Sequence, residues 1–486
     1  MSLSNSRSSL AALTALLLSG CATVGPNFAQ PKAPAASGYA MAGDTAPTSV
    51  AITQGDGAAG QWWKGLGSAD LDRTMRQALA GSPTLDRADA TLAAAEAVAA
   101  ATGGRLGPEG KLNASVNESR INLAAFGFTT FPNPTVSLYS VGGTVSYDLD
   151  LFGGRKREVE GAQARAEAEG YRAGAAYLTL TGDIALQAVE IAALRAQIAA
   201  VQGVIADDQS NLDLVRKALA AGSAPPAAQV NVRAQIAEDQ ALLPPLTKSL
   251  GQARHALALL VGRTPSDWTA PDFDLTDLKT PPSIPVNVPS QLARRRPDVL
   301  AAEADLHAAT ADIGVQTAKL YPDISLNAGL TQTALTPDKL LQYGFSGWNI
   351  GPGLSLPILG RDSLKSQTKA AEAQTRAALA RYQITVLQAF GQVADALQDL
   401  SSDEAMMKAQ DEAGTQARAS LKNAQFAYSK GGGTLLEITD AQRSLNRARI
   451  AYAKAQGQRL SDVVHLYLAT GADWSELGAL RTASAN

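Results

Sequence analysis

The 486-residue sequence has one cysteine, three histidines and few aromatic residues, which make up 5% of the chain. A single cysteine excludes an internal disulfide, and the histidines (His255, His307 and His465) lack the spacing of a metal site. The net charge of −3, from 42 basic and 45 acidic side chains, argues against nucleic-acid binding. No phosphate-binding loop or nucleophile motif is found. We therefore expect a protein that is not an enzyme and that binds no metal, nucleic acid or non-covalent cofactor.

The N-terminus has the pattern of an export signal. Arg7 precedes an apolar run, Leu10 to Leu18, that is too short to cross a bilayer as a helix. Small residues then lead into Cys21, as in the lipobox of bacterial lipoproteins. This predicts a signal peptide over residues 1–20 and a covalent lipid on Cys21, with a free thiol in a discarded leader as the alternative. By resemblance to lipoprotein sorting, Ala22 favours the outer membrane. No later run of about 18 apolar residues is found, so no membrane-crossing helix is expected.

What the sequence does contain is a duplication. The pattern Leu-x-Pro-x-x-x-Leu-Asn-Ala begins at Leu106 and again, roughly 210 residues later, at Leu320. A Gly-Arg pair follows each copy, at Gly154 and at Gly360. One ordered set of signals found twice indicates two copies of a large supersecondary unit.

The duplication and the composition divide the mature chain into five parts. Each repeat is predicted to contain short helices, two strands (about 111–150 and about 322–357) and a long helical hairpin (about 154–262 and about 361–471). The parts are a Pro- and Gly-rich tether (21–60), the first repeat (61–262), an equatorial linker (263–290), the second repeat (291–471) and a C-terminal tail (472–486).

The strands have one apolar and one polar face. Leu112, Ala114 and Val116 alternate with polar residues, which is typical of transmembrane β-barrel strands. Gly142-Gly143 lies where the alternation changes phase, and predicts a β-bulge or bend. Four strands are too few to close a barrel, and open edges are not tolerated in lipid. Three chains would supply about twelve strands, within the known range for such barrels.

The helices are far longer than globular ones. Gly154 to Ala220 contains no strong breaker, which predicts a helix of roughly 100 Å. Its apolar residues follow the three-and-four spacing of a coiled-coil seam that skips Gln187 and Asp208. A matching segment runs from about Ser363 to Lys430. Each long helix is followed by a turn and a returning helix, and Pro244-Pro245 should break the first of these.

Several unrelated motifs together resemble one family, the outer-membrane efflux lipoproteins of the NodT type, which belong to the TolC-like outer-membrane factors. The resemblance covers essentially the whole mature chain. The motifs that carry it are Val24-Gly25-Pro26-Asn27-Phe28, Trp62-Trp63, Leu243-Pro244-Pro245-Leu246, Leu292-Ala293-Arg294-Arg295-Arg296-Pro297-Asp298 and Tyr321-Pro322-Asp323-Ile324-Ser325-Leu326.

The resemblance implies a mainly α fold with membrane β-strands. It implies a homotrimer with a shared 12-stranded β-barrel in the outer membrane, four strands from each chain, above a long α-helical barrel in the periplasm. It also implies an exit duct of a tripartite efflux pump. The implied partners are outer-membrane lipid, a periplasmic adaptor protein and an inner-membrane RND-type transporter. The substrate stays open.

One group of residues is a candidate gate. Glu437 and Asp440 lie three residues apart at the start of the second returning helix, and so share one helical face. In a trimer they would form two stacked rings of carboxylates. By resemblance, they match the acidic residues at the periplasmic aperture of TolC-like channels. The alternative is that Thr434 and Glu437 form a capping box. The first repeat has Val230 and Arg233 at the matching positions.

Two further interpretations bear on function. A lipid-anchored periplasmic coiled-coil adaptor or structural protein, with its β segments in a small soluble domain, is the alternative to a duct. Arg294-Arg295-Arg296 is interpreted as a solvated surface feature rather than a membrane or nucleic-acid patch.

Overall fold

The computed structural model describes residues 23–32, 38–41, 43–44, 51–54, 60–127, 129–130, 132–286 and 289–474. The predicted signal peptide (1–20) and the predicted lipid attachment residue, Cys21, lie outside these residues. The same holds for the predicted tail beyond residue 474.

Long helices dominate the described chain. In chain order they are α1 (Ala69–Gly81), α2 (Pro83–Gly104), α3 (Gly154–Ala220), α4 (Pro226–Gln240), α5 (Leu243–Leu260), α6 (Pro289–Leu292), α7 (Pro297–Ala318), α8 (Arg361–Ser429) and α9 (Leu435–Ala469). The strands are β1 (Ala51–Gln54), β2 (Glu109–Arg120), β3 (Thr135–Asp148), β4 (Ser283–Val286), β5 (Asp323–Ala334) and β6 (Ser346–Ser355).

The chain forms two compact units. The first combines residues 1–31, 92–169 and 302–382, and contains strands β2, β3, β5 and β6. The second combines residues 32–91, 170–301 and 383–486, and contains most of both helical hairpins. Both repeats therefore contribute to both units.

In the first unit, the four strands form one antiparallel sheet in the order β2-β3-β5-β6. Strands β2 and β3 come from the first repeat, β5 and β6 from the second, and β3 pairs with β5. The four strands predicted for a shared membrane sheet, two from each repeat, are therefore present in one sheet.

The two faces of this sheet differ in polarity. Directly paired residues point to the same face of a sheet. One row across the sheet joins Leu112, Gly143, Leu330 and Trp348, and the next row, on the other face, joins Lys111, Thr144, Gly329 and Asn349. On the apolar face, Leu112 is 81% exposed and Trp348 is 72% exposed. On the polar face, the Ser146 hydroxyl donates to Asn327 Oδ1 at 2.9 Å.

The bulge predicted at Gly142-Gly143 is wrong. Strand β3 pairs without interruption through both glycines, with β2 on one side and β5 on the other. The apolar series on β3 already runs on a single face through Val141, Gly143 and Val145, so no change of register is needed. Gly142 instead lets the backbone of β5 lie close to β3, because a Cβ atom on residue 142 would lie 2.9 Å from the Leu330 carbonyl oxygen.

Helix α3 has 67 residues and the bounds that the uninterrupted sequence pattern predicts. Its seam is buried at Ile184, Ile191 and Val201, and α8 buries Val386 and Val393 in the same register. By length and composition, α3 contains one stretch that would suit a membrane helix, which differs from the expectation of none. Half of that stretch is buried inside the molecule, as in the core helix of a coiled coil.

Each hairpin turns at a glycine with a positive φ. Gly222 has a φ of 73° and Gly431 a φ of 76°. In each turn the next residue donates its N–H to a carbonyl five residues earlier, which closes the helix end. The first returning helix is broken into α4 and α5 just before Pro244-Pro245, as predicted, whereas α9 runs unbroken for 35 residues.

Two short strands occupy segments that the sequence assigned to the tether and the linker. Strand β1 lies within residues 21–60 and pairs in parallel with β4, which lies within residues 263–290. Ile284 and Val286 of β4 are buried. A four-residue strand carries too short an alternation to be recognised in the sequence, and this pairing joins segments more than 200 residues apart.

Candidate functional site

The candidate gate lies at the N-terminus of α9. The Glu437 N–H donates to Thr434 Oγ1 at 3.3 Å, and the Thr434 N–H donates to Glu437 Oε2 at 3.1 Å. These two bonds form a complete capping box, so the capping role of Glu437 is present in the structure.

The same two carboxylates are accessible to solvent. Glu437 is exposed, and the Asp440 side chain is 63% exposed with its Oδ1 atom 3.8 Å from Arg443 Nη1. The capping box engages one oxygen of Glu437 and none of Asp440. Capping therefore leaves both negative charges available, and the gate role of Glu437 and Asp440 stays a prediction.

The matching positions of the first hairpin carry no acid. Val230 and Arg233 are both exposed on α4. One hairpin therefore ends in two exposed carboxylates, and the other in an apolar and a basic side chain.

A polar network behind the tip was not predicted from the sequence. Arg443 Nε, on α9, donates to Gln235 Oε1 on α4 at 2.6 Å. Arg449 Nη1, also on α9, donates to Asp207 Oδ2 on α3 at 2.8 Å. These contacts join the two hairpins roughly two to three helical turns after Glu437 along α9. The only sequence signal was the interruption of the apolar seam at Asp208, the neighbour of Asp207.

A second arrangement in the first unit holds the segment that follows Cys21. Arg157 is 3% exposed, and its Nη2 donates to Asn27 Oδ1 at 2.7 Å while its Nε donates to the Val24 carbonyl at 3.3 Å. Gly25 lies so close to Gly314 that a Cβ atom on it would be 2.5 Å from the Gly314 Cα. The predicted tether is therefore not a free linker over these residues.

His307 and Glu160 complete the site around Arg157 that holds the segment after Cys21. His307 Nε2 lies 3.0 Å from Glu160 Oε1, and the His307 ring stacks on Phe28 at 4.4 Å. Arg157 Nη1 donates to Glu160 Oε2 at 2.7 Å. Burial acts to raise the pKa of Glu160, but the hydrogen bonds and charges of Arg157 and His307 outweigh it and lower that pKa.

The interpretation of the arginine run as a solvated feature is wrong for Arg296. This residue is buried, and its Nη1 donates to the Ala469 carbonyl at the end of α9 at 3.0 Å. Its Nη2 and Nε atoms bind the two oxygens of Asp298 at 2.7 and 3.0 Å. Arg296 therefore closes a helix C-terminus, where a positive charge is stabilising.

Across the described ranges, no three His, Cys, Asp or Glu residues are placed to hold a metal ion. His307 and His465 each lie beside one carboxylate, on Glu160 and Asp462, and His255 is exposed. None of the three is brought together with another histidine.

These features define a class of protein. An exposed apolar sheet face, joined in each repeat to an outgoing helix of 67 or 69 residues and a returning helix, is the architecture of a channel-forming membrane protein. A family model described as "outer membrane efflux protein" matches residues 74–263 and 288–472. This is more than half of the chain, and the chain belongs to this family.

Individual relatives agree with this assignment. The pyoverdine export outer membrane protein OpmQ of Pseudomonas aeruginosa is 29% identical over 419 residues, covering 85% of this chain and 87% of OpmQ. The probable outer membrane lipoprotein SilC of Salmonella typhimurium is 25% identical over 466 residues, covering 95% and 98%. Nodulation protein T of Rhizobium leguminosarum bv. viciae is 27% identical over 481 residues, covering 94% and 92%. The predicted resemblance is confirmed.

The structure of the outer-membrane channel OprN superposes with a TM-score of 0.84 at 26% identity, covering 93% of this chain and 99% of that chain. The predicted fold class, mainly α with membrane β-strands and TolC-like, is confirmed. Family and fold are those of outer-membrane channels rather than enzymes.

Proposed function

We propose that three copies of this chain form the exit duct of a tripartite efflux pump in the outer membrane. One observation carries the proposal: the four-stranded sheet exposes its apolar face and, among the described residues, pairs neither β2 nor β6 on its outer edge. In lipid such edges must find partners, because each unpaired backbone group costs several kcal/mol.

Three copies would satisfy both edges. Strand β6 of one copy would pair with β2 of the next, and the barrel would have about twelve strands. The apolar face would then contact lipid while the polar face lined water. The hairpins support the same assembly, because α8 exposes Ile384 and Leu387, which neighbouring copies would cover.

Cross-linking across the strand edges tests the proposal. Val116→Cys on β2 and Ile350→Cys on β6, joined by a bis-maleimide in outer-membrane vesicles, should give a covalent three-chain species on a denaturing gel. The control pair, Val145→Cys and Leu330→Cys, lies on the adjacent inner strands and should stay monomeric. A monomer from the edge pair would overturn the trimer, and trimers that fail to conduct ions in planar bilayers would overturn the duct.

The lipid on Cys21 is part of the proposal. It is supported by the lipobox-like sequence, by the description of SilC as a probable lipoprotein, and by the docking of Val24 and Asn27 on Arg157 a few residues later. A short, held segment would keep the acyl chains close to the strand-containing unit. Cys21→Ser should abolish incorporation of labelled palmitate, and unchanged labelling would contradict the assignment.

The partners and the gate complete the proposal. The family description and the names of export relatives support a periplasmic adaptor and an inner-membrane RND-type transporter as partners. The hairpins would extend into the periplasm, with Glu437 and Asp440 at the narrow end. The exposure of both carboxylates beside the capping box supports a cation-selective constriction there. No cofactor is proposed beyond the lipid.

A further inference from the structure

Each hairpin contains a pair of aspartates that bridges its outgoing and returning helices. In the first hairpin, Asp208 on α3 and Asp239 on α4 lie against each other, and both are more than nine-tenths buried. In the second hairpin, Asp403 on α8 and Asp462 on α9 make the same contact, and Asp462 is 3% exposed. We call these the first and second aspartate pairs.

In each pair, one buried carboxylate oxygen lacks a hydrogen-bond donor among the described residues. No hydrogen-bond donor among the described residues reaches Oδ2 of Asp208 or Oδ2 of Asp403, and both atoms are buried. An ionised carboxylate is only an acceptor, so two ionised carboxylates in contact repel each other and leave an oxygen without a partner. A single proton between them supplies the missing donor and removes one of the two charges.

The groups around the first pair do not neutralise it. Gln235 Nε2 donates to Asp239 Oδ2 at 2.9 Å, so one oxygen of Asp239 is satisfied. Arg443 is the nearby cation, but its Nε donates to the Gln235 amide, and Asp207 adds a negative charge. Burial, then the hydrogen bond and charge of Asp239 and the charge of Asp207, raise the pKa of Asp208 to about 7 against the opposing charge of Arg443.

The second pair also has a like and an opposite charge beside it, and in addition a histidine, His465. Asp399 faces Asp403 with a like charge, and Arg459 faces it with an opposite one. Burial and the neighbouring Asp462 raise the pKa of Asp403 to about 7. Asp462 itself accepts from Gln458 Nε2 at 3.2 Å and lies 3.5 Å from His465 Nδ1. Burial acts to raise the pKa of Asp462, but the hydrogen bonds of His465 and Asp403 and the charge of His465 outweigh it and lower that pKa.

We propose that each hairpin binds one proton between its paired aspartates, and that this proton fastens the outgoing helix to the returning helix. The two sites make the helical hairpins a pH-sensitive element that is held together in mildly acidic medium and loosened in alkaline medium. The inference concerns a single chain, and neither the trimer nor the duct is needed for it.

The sign of the effect follows from linkage. In the folded chain the pKa values of Asp208 and Asp403 are about 7, above the ordinary aspartate pKa of 3.8. Between these limits the folded chain holds more protons than the unfolded chain, so its stability falls as pH rises through that window. Above it, both carboxylates of each pair are charged and the stabilisation is gone.

Asparagine substitutions test the proposal on the purified full-length protein. Asp208→Asn and Asp403→Asn keep the shape of each pair and provide an N–H donor at every pH. The wild-type midpoint of thermal unfolding should fall by several degrees from pH 5 to pH 8. In each variant this midpoint should fall less between pH 5 and pH 8 than in wild type, and at pH 8 it should be higher than in wild type. The double variant should show the smallest fall.

Two matched controls separate the pairs from other carboxylates. Asp213→Asn changes an exposed residue of α3, whose carboxylate lies 2.9 Å from Arg216 Nη1. Asp411→Asn changes an exposed residue of α8. Both controls should keep the wild-type slope against pH.

Infrared difference spectra provide a direct readout. At pH 6, the carbonyl stretch of protonated carboxyl groups should be weaker in the double variant than in wild type. An unchanged stretch, or a double variant with the wild-type pH slope, would overturn the proposal. Single variants that are less stable than wild type at pH 8 would also overturn it, because the amide would then be a poorer partner than the ionised carboxylate.

Discussion

The two helical hairpins have the same design and differ at two places. The first hairpin returns through two helices, α4 and α5, with a break at Ala241 and Leu242, whereas the second returns through one continuous helix, α9. The first ends in Val230 and Arg233, and the second in Glu437 and Asp440. The duplication therefore gave two similar scaffolds, of which only the second joins exposed negative charge at its tip to an unbroken returning helix.

The difference in the returning helices has a local cause. A proline has no N–H and its ring clashes with the carbonyl four residues earlier, so Pro244-Pro245 is accommodated only at the first positions of a new helix. Helix α9 has no proline and its tertiary contacts continue to Ala469, where Arg296 binds the last carbonyl. We therefore expect the stability of the folded chain to depend on the continuity of α9.

Breaking α9 should have the largest effect. Ala448 is buried near the middle of α9 and corresponds roughly to the break in the first hairpin. Ala448→Pro should destabilise the folded chain by about 3 kcal/mol or more, because it removes one helical hydrogen bond and creates a clash. Chemical denaturation of the purified protein would measure the change in the free energy of unfolding.

The matched control places the same residue where a helix accepts it. Leu436 is exposed in the first turn of α9, where the backbone N–H has no helical partner. Leu436→Pro should change the free energy of unfolding by well under half of the Ala448→Pro effect. Equal losses in the two variants would show that α9 does not need to be continuous.

Contact between the hairpins should give the next largest effect. Gly457 on α9 approaches α3 so closely that a Cβ atom there would lie 2.4 Å from the Ala193 Cβ. Since a backbone-attached methyl group cannot rotate away, Gly457→Ala should destabilise the fold by about 1–3 kcal/mol. The free energy of unfolding from urea titration would show it.

Substitution of Gly203, on α3, should have the opposite effect on stability. It lies inside α3, and a Cβ atom there would meet nothing within 4 Å. Gly203→Ala should stabilise the fold by roughly 0.5–1 kcal/mol, because alanine loses less conformational entropy in a helix. If Gly457→Ala stabilised the fold as Gly203→Ala should, the close approach of α9 to α3 would be contradicted.

The comparison also shows what the sequence could predict. The bounds of α3, the four strands and the proline break follow from uninterrupted local patterns, because each depends on neighbours within a few residues. The bond from Arg443 to Gln235 and the docking of Asn27 on Arg157 were not predictable, since each joins residues more than 100 positions apart. Such contacts are set by how helices pack, and a single sequence does not contain that information.

The predicted site illustrates the same limit within one turn of helix. The spacing of Thr434, Glu437 and Asp440 is enough to predict both a capping box and a shared exposed face, and both are present. It could not predict the bond from the neighbouring Arg443 to Gln235, because Gln235 lies on the other hairpin.

Two variants with small expected effects on stability distinguish the capping role of Glu437 from its proposed role in a gate. Thr434→Ala removes the hydroxyl that accepts from the Glu437 N–H and should cost about 1 kcal/mol while leaving both carboxylates in place. Glu437→Gln keeps the capping box, in which glutamine also serves, and should change stability by much less while removing one charge from each chain.

Unfolding experiments and single-channel conductance would be measured on the same preparations. If the carboxylates form a constriction, cation selectivity should fall with Glu437→Gln, fall further with Asp440→Asn added, and be unaffected by Thr434→Ala. If selectivity instead follows stability across these variants, Glu437 acts only as a cap, and the difference between the two hairpin tips has no bearing on ion passage.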